Sequence, residues 1–146
     1  MLVELGLAAC LVVRVIDGDS LSVRCDPGAQ LVQVRIAAID APELNQPAGQ
    51  DAKRVLMKLT HGRTVQLDCL KRDRYRRALC ALSTQAQGDI GLAMVRKGMA
   101  WCFSRYLHEQ PAGWRQRCER AQQLAQQAAH GLWRDPQAHA PWSWRR

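Results

Sequence analysis

The chain has no apolar run approaching the ~20 residues that a bilayer-spanning helix requires. No two of its six cysteines stand in CxxC spacing and its four histidines are scattered, which removes the usual zinc patterns. No internal repeat and no linker-like stretch divides the sequence, so its 146 residues are read as one domain, 1–146, long enough for a core of its own. The opening residues lack the basic start of an export signal and include Glu4, so 1–9 is read as a signal-peptide remnant or as an ordered first strand. Leu7-Ala8-Ala9-Cys10 looks like a lipoprotein processing box, but lipidation would deprive Cys25 of the partner proposed for it below.

Basic residues are plentiful. A formal charge of +8 and a pI near 9.7 point to a polyanionic partner, nucleic acid ahead of an anionic membrane. Six cysteines are many for this length, and their positions favour one pairing among the 15 that six allow. If Asp17-Gly18 is a two-residue hairpin turn, Cys10 falls opposite Cys25; Cys69 and Cys80 stand symmetrically about Arg74-Tyr75, leaving Cys102 with Cys118. Directly opposed antiparallel residues lie about 4.5–5.5 Å apart at Cα, within disulfide reach. Three disulfides predict an oxidising compartment, periplasmic or secreted.

Strand signals fill the first half: 11–16, 21–25, 31–39, 64–69 and 78–83, with a helix over 50–59 ended by Gly62. The second half is helical, with a short helix stopped by Gly98 and a longer one carrying Trp114, Cys118, Ala121, Ala125, Ala128 and Leu132 on one face. Residues 134–146 lack the periodicity of an element and are read as a C-terminal tail; Trp142 and Trp144 with Arg145 and Arg146 could stack on a nucleic-acid strand, but a tail latching onto the barrel is the favoured reading. Five short strands with a helix after the third predict an α+β fold, a five-stranded OB-type barrel with packed helices.

Three clusters carry chemistry: Asp17-Gly18-Asp19-Ser20; Arg35 with Asp40-Ala41-Pro42-Glu43; and Asp73-Arg74-Tyr75-Arg76-Arg77. Carboxylates hold hard cations and direct water, while arginine forks grip phosphate oxygens in pairs. Taken singly, each residue has a plainer reading. Asp19 and Asp40 suit turns, Arg35 within an apolar strand suits a structural ion pair, and Arg72, Arg74 and Arg76 suit a solvated basic face. Tyr75 and Tyr106 fit packing as well as ligand contact. The histidines show no paired arrangement and are assigned no chemistry.

In order along the chain, Val15 to Ser20, Val34-Arg35 through Glu43, Asp73 to Arg77, Ala93 to Trp101 and Gly131-Leu132-Trp133 resemble the staphylococcal nuclease family. The resemblance covers most of the sequence. It implies an OB-fold barrel with three helices and a calcium-dependent phosphodiesterase acting on DNA and RNA with little sequence preference. It implies Asp19 and Asp40 as calcium ligands, with the backbone carbonyl of Ala41, which stands where the family has threonine. Glu43 would orient or deprotonate the attacking water, and Arg35 and Arg77 would grip the phosphate. Arg74, Tyr75 and Tyr106 would line the nucleotide pocket, where Ser104 replaces a second tyrosine. Arg76 replaces a usual glycine; if that position needs positive φ, arginine costs about 1 kcal/mol or reshapes the loop. A monomer is expected. The rivals are a non-catalytic OB-fold nucleic-acid-binding module and a disulfide-stapled envelope interaction protein.

Overall fold

A computed structural model describes residues 6–145, apart from the side chains of Ser104, Tyr106 and Leu107. The expectation for residues 1–9 therefore lies partly, over 1–5, outside the described residues. The strands are β1 (Gly6–Asp17), β2 (Ser20–Arg24), β3 (Val32–Ile36), β4 (Ile39–Asp40), β5 (Thr64–Arg72), β6 (Ala78–Thr84), β7 (Gly88–Asp89) and β8 (Trp101–Cys102). The helices are α1 (Gly49–Thr60), α2 (Ile90–Arg96), α3 (Trp114–Gln127) and the single turn α4 (Pro141–Trp144).

Strand β1 belongs to both sides of a barrel. Residues 6–11 pair with β5, and residues 11–17 pair with β2. From there β2 pairs with β3 and β5 with β6, all antiparallel, and a parallel β3–β6 pairing closes the ring. This is the predicted five-stranded OB-type barrel, α+β in class. Its interior is filled from alternate strand positions by Val12, Leu21, Val23, Val34, Val65, Leu67 and Leu82, all essentially inaccessible to solvent. Helix α1 covers β1 with Ala52, Leu56 and Leu59. At the start of α2, Asp89 accepts the Leu92 N–H (2.8 Å) and the Trp114 Nε1–H (2.9 Å), which ties α2 to α3.

Several boundaries differ from the sequence pattern for visible reasons. The β1–β2 turn is Gly18-Asp19 rather than Asp17-Gly18, and Asp17 pairs with Ser20. Two bulges in β1 then shift the register, so that Leu11 faces Arg24. Strand β3 stops at Ile36 because Ala38 turns into the left-handed region (φ 64°) before β4. Helix α3 ends at Gln127 without reaching Leu132; the chain reverses through Ala129 (φ 52°) and Gly131 (φ 56°), and Leu132 is buried from a separate 3₁₀ turn. The tail also contains an element, since Pro141 starts the turn α4.

All six cysteines are paired as expected: Cys10–Cys25, Cys69–Cys80 and Cys102–Cys118, with Cα separations of 4.1, 4.0 and 6.0 Å. Cys10 is thus committed within the barrel, against the lipoprotein reading. Each bridge joins residues 11 to 16 apart, a loop size for which chain entropy predicts about 3 kcal/mol per bond.

The β5–β6 loop, 73–77, is built around one carboxylate. Asp73 accepts the N–H groups of Tyr75 (2.8 Å) and Arg77 (3.0 Å) on one oxygen and Arg77 Nε (2.8 Å) on the other. Arg76 sits at φ 65°, the left-handed conformation that glycine adopts without steric cost. Burial acts to raise the Asp73 pKa, but the hydrogen bonds from Arg77 and Tyr75 outweigh it and hold it below 3.8.

Two expectations follow from this scaffold. Unfolded without reductant, the protein should show no reactive thiol, and after reduction six; six before reduction would contradict the pairing. Because the folded pKa of Asp73 is lowered, its contribution is present above about pH 4 and fades as pH falls further. Asp73→Asn should therefore be about 1–2 kcal/mol less stable than the parent in denaturant titrations at pH 7, with the gap shrinking toward pH 3. An equal gap at both pH values would assign the loss to packing instead.

Candidate active site

The barrel end at the β1–β2 turn is crowded, and two glycines make the crowding feasible. A Cβ on Gly18 would come within 2.7 Å of the methyl groups of both Ala41 and Ala52. One on Gly49 would lie 1.9 Å from the Glu43 carbonyl oxygen. The acidic turn, the 40–43 segment and the start of α1 are thereby packed against one another. The Asp19 carbonyl accepts the Ile36 N–H (2.8 Å), fixing the turn to the end of β3.

Asp19 and Asp40 are only 6% and 1% exposed. Asp19 Oδ2 accepts the Ala41 N–H at 2.6 Å, so the two acidic segments are joined directly. Arg35, in register between Ser20 on β2 and Leu79 on β6, extends its guanidinium between the carboxylates. Its Nη2 lies 3.5 Å from Asp19 Oδ2 and 3.4 Å from Asp40 Oδ1, and its Nη1 donates to the Ile36 carbonyl. The structural ion pair considered for Arg35 is therefore real, and it lies within the site.

One guanidinium does not offset the desolvation of two carboxylates. Burial pushes Asp19 up to about 7 despite the lowering effect of Arg35. Asp40 is also raised by burial, against Arg35 and Arg145. Asp40 Oδ2 is buried with no hydrogen-bond partner. Such an orphaned oxygen, beside a second buried carboxylate, fits a hard cation that keeps part of its water shell. Among the described residues, no three His, Cys, Asp or Glu side chains form a metal cage; two carboxylates are what converge here.

Glu43 is anchored through its N–H to Gln46 Oε1 (3.0 Å) and directs its carboxylate toward the same space. Across from it stands the 73–77 loop, with the Arg74 and Arg77 guanidinium carbons 5.3 and 5.5 Å from the Tyr75 ring centroid. A cavity of about 330 Å³ is bounded by Asp19, Arg35, Asp40, Glu43, Arg77 and Arg145, among others. Five side chains singled out from separate stretches of sequence thus share one opening, joined by Arg74 and Tyr75 at its rim. Tyr75 is 65% exposed, so packing does not explain it. Ala41 is buried and, bonded through its N–H to Asp19, is not part of the cavity lining. The Tyr106 side chain lies outside the described residues.

Sequence reasoning named Asp73 in the arginine cluster and Arg145 in the tail without giving either its place in the site. Asp73 organises the loop that carries Arg77, and an acidic residue opening an arginine-rich loop was the available signal. Arg145 reaches the site from the tail and contacts Asp40 and Glu43; nothing local announces a contact that spans 102 and 105 residues.

Residues 33–135 match the family described as staphylococcal nuclease homologue. A Haemophilus influenzae protein named as an uncharacterized endonuclease is 39% identical over 137 residues, covering 94% of this chain and 72% of that protein. A Shigella flexneri protein named micrococcal nuclease is 37% identical over 143 residues, covering 92% of this chain and 79% of its own length. A probable staphylococcal-like nuclease of Oryza sativa subsp. japonica is 32% identical over 121 residues, 81% of this chain and 34% of that protein. With the family match extending over the barrel closure, the 40–43 segment and helices α1 to α3, the chain belongs to the staphylococcal nuclease family.

Proposed function

We propose that the protein is an endonuclease that hydrolyses phosphodiesters of DNA and RNA with little sequence preference, using calcium and a water that attacks phosphorus in line. The observation that supports it is the shared cavity of Asp19, Asp40, Glu43, Arg35 and Arg77. In this reading the Asp19 and Asp40 carboxylates and the Ala41 carbonyl hold the ion, which supplies Lewis-acid polarisation of a phosphate oxygen. Glu43, tethered by its backbone to Gln46, holds the attacking water in line, a contribution made by placement. Arg35 and Arg77 oppose the negative charge that grows on the equatorial oxygens, with planar forks that lysine lacks. Arg74, Tyr75 and Tyr106 receive the nucleotide. The 5′ oxygen leaves and products carry 3′-phosphates, as the family likeness implies. Three disulfides support an oxidising destination, periplasmic or secreted.

Digestion of single-stranded DNA with calcium or with excess chelator is the direct test. Cleavage should require the ion; binding without cleavage in either condition would favour the non-catalytic module. Glu43→Ser should lower turnover by about two to four orders of magnitude while leaving the Kd for uncleaved substrate within about threefold. Equal loss of both would assign Glu43 a structural role.

A further inference from the structure

The C-terminal strap has a seat of its own. The His139 carbonyl accepts Gln46 Nε2, and Trp144 Nε1 donates to Asn45 Oδ1 (3.2 Å), so the strap is attached on both sides of α4 to the loop that carries Glu43. Trp142 packs edge-on against Trp101, with centroids 5.6 Å apart, and stacks at 28° on Phe103. Trp101 is the β8 residue paired with Asp40. These contacts place the start of the Arg145 side chain beside the acidic cluster whatever its guanidinium does.

That guanidinium bridges two of the carboxylates that face the cavity, Asp40 and Glu43. Nε donates to Glu43 Oε1 at 2.6 Å and Nη2 to Asp40 Oδ1, while the side chain remains 44% exposed. A guanidinium so placed neutralises charge that Arg35 alone leaves uncompensated, with charge-assisted hydrogen bonds to both acceptors. Arg145 takes Asp40 Oδ1 and leaves Oδ2 without a hydrogen-bond partner, so a divalent ion on Asp40 would meet the guanidinium's positive charge across a single carboxylate. At that separation the two cations repel each other, and the repulsion drives the arginine off as the ion binds. We propose that Arg145 is a built-in occupant of the cation site, a clasp that a divalent ion must displace from Asp40 and Glu43 before the site is loaded. Because the strap is held by Gln46, Asn45, Trp101 and Phe103, the arginine can swing out without the strap leaving its seat. Its release also frees Glu43 to hold water. The inference rests on the reading of Asp19 and Asp40 as cation ligands.

In such an equilibrium the apparent affinity falls by the fraction of molecules with the site open. A pair of charge-assisted hydrogen bonds corresponds to a clasped form favoured by about 10:1 to 100:1. Calcium titration of the full chain by calorimetry, without substrate, reads this directly. Arg145→Ala should bind calcium about ten- to a hundredfold more tightly than the parent. Arg74→Ala removes the same charge from the same cavity, where the guanidinium faces Tyr75, and should change affinity less than about threefold. Equal tightening in both variants would reduce Arg145 to a general field effect, and binding unchanged by Arg145→Ala would overturn the clasp while leaving the calcium site standing. If neither the parent nor the variants bound calcium at millimolar concentration, the ligand reading and the clasp would fall together.

Discussion

Two carboxylates buried at the end of a small barrel, with one guanidinium between them, are the constraint on which the site depends. Moving a charged group out of water is costly, and mutual attraction offsets that cost only when charges and hydrogen bonds balance. Asp19 and Asp40 with Arg35 do not balance, as the upward pKa shifts of both carboxylates show. The arrangement is therefore short of positive charge by design of its sequence. That deficit favours the proposed cation site, and it also explains why a second arginine from the far end of the chain settles there.

A site of this kind needs a frame that resists closing over itself, and the barrel supplies one. Asp19, Arg35 and Asp40 each sit in or next to a strand whose neighbours are fixed by ladder hydrogen bonds. Two disulfides cross the barrel strands, one between β1 and the residue just after β2 and the other between β5 and β6. The third ties β8, the partner of Asp40, to α3. Disulfides limit the unfolded ensemble more than they stiffen the folded one, and their value here lies in letting a chain of 146 residues carry a destabilising charge cluster.

Much of this was legible in the residues, and the reasons it was legible are physical. Apolar runs bounded by turn residues marked all five barrel strands, with clean in–out alternation in β3 and β5 and four consecutive buried positions in β2. Cysteine symmetry gave the correct pairs although the turn was placed one residue early, because bulges in β1 and at Leu70 absorbed the offset. The boundaries that escaped are those where the backbone turns left-handed at alanine, Ala38 and Ala129, a residue type with no bias toward that region. The acidic and arginine clusters were readable since chemistry of this type requires specific groups at short spacing. Arg145 was not. Its role comes from a tertiary contact set by α4 and the Trp101–Trp142–Phe103 packing, and a tail with two tryptophans gives no local hint of which loop it will meet.

The two arginines proposed to face the phosphate differ in preparation, and the difference bears on how they would act. Arg35 is nearly enclosed, held by a strand on each side and by three acceptors, so little reorganisation separates its resting position from one facing substrate. Arg77 stands on a turn whose shape rests on Asp73 and on a strained Arg76, with its Nε occupied by Asp73. Anchoring by Nε leaves the Nη edge of the fork for a second acceptor, so Asp73 can orient Arg77 without taking its whole capacity. In the proposed reaction Arg35 then belongs to the fixed field of the site, while Arg77 is delivered by a loop that also presents Tyr75. Contacts to the nucleotide around Tyr75 thereby bear on the placement of Arg77, which couples substrate recognition to stabilisation of the transition state through a single five-residue loop.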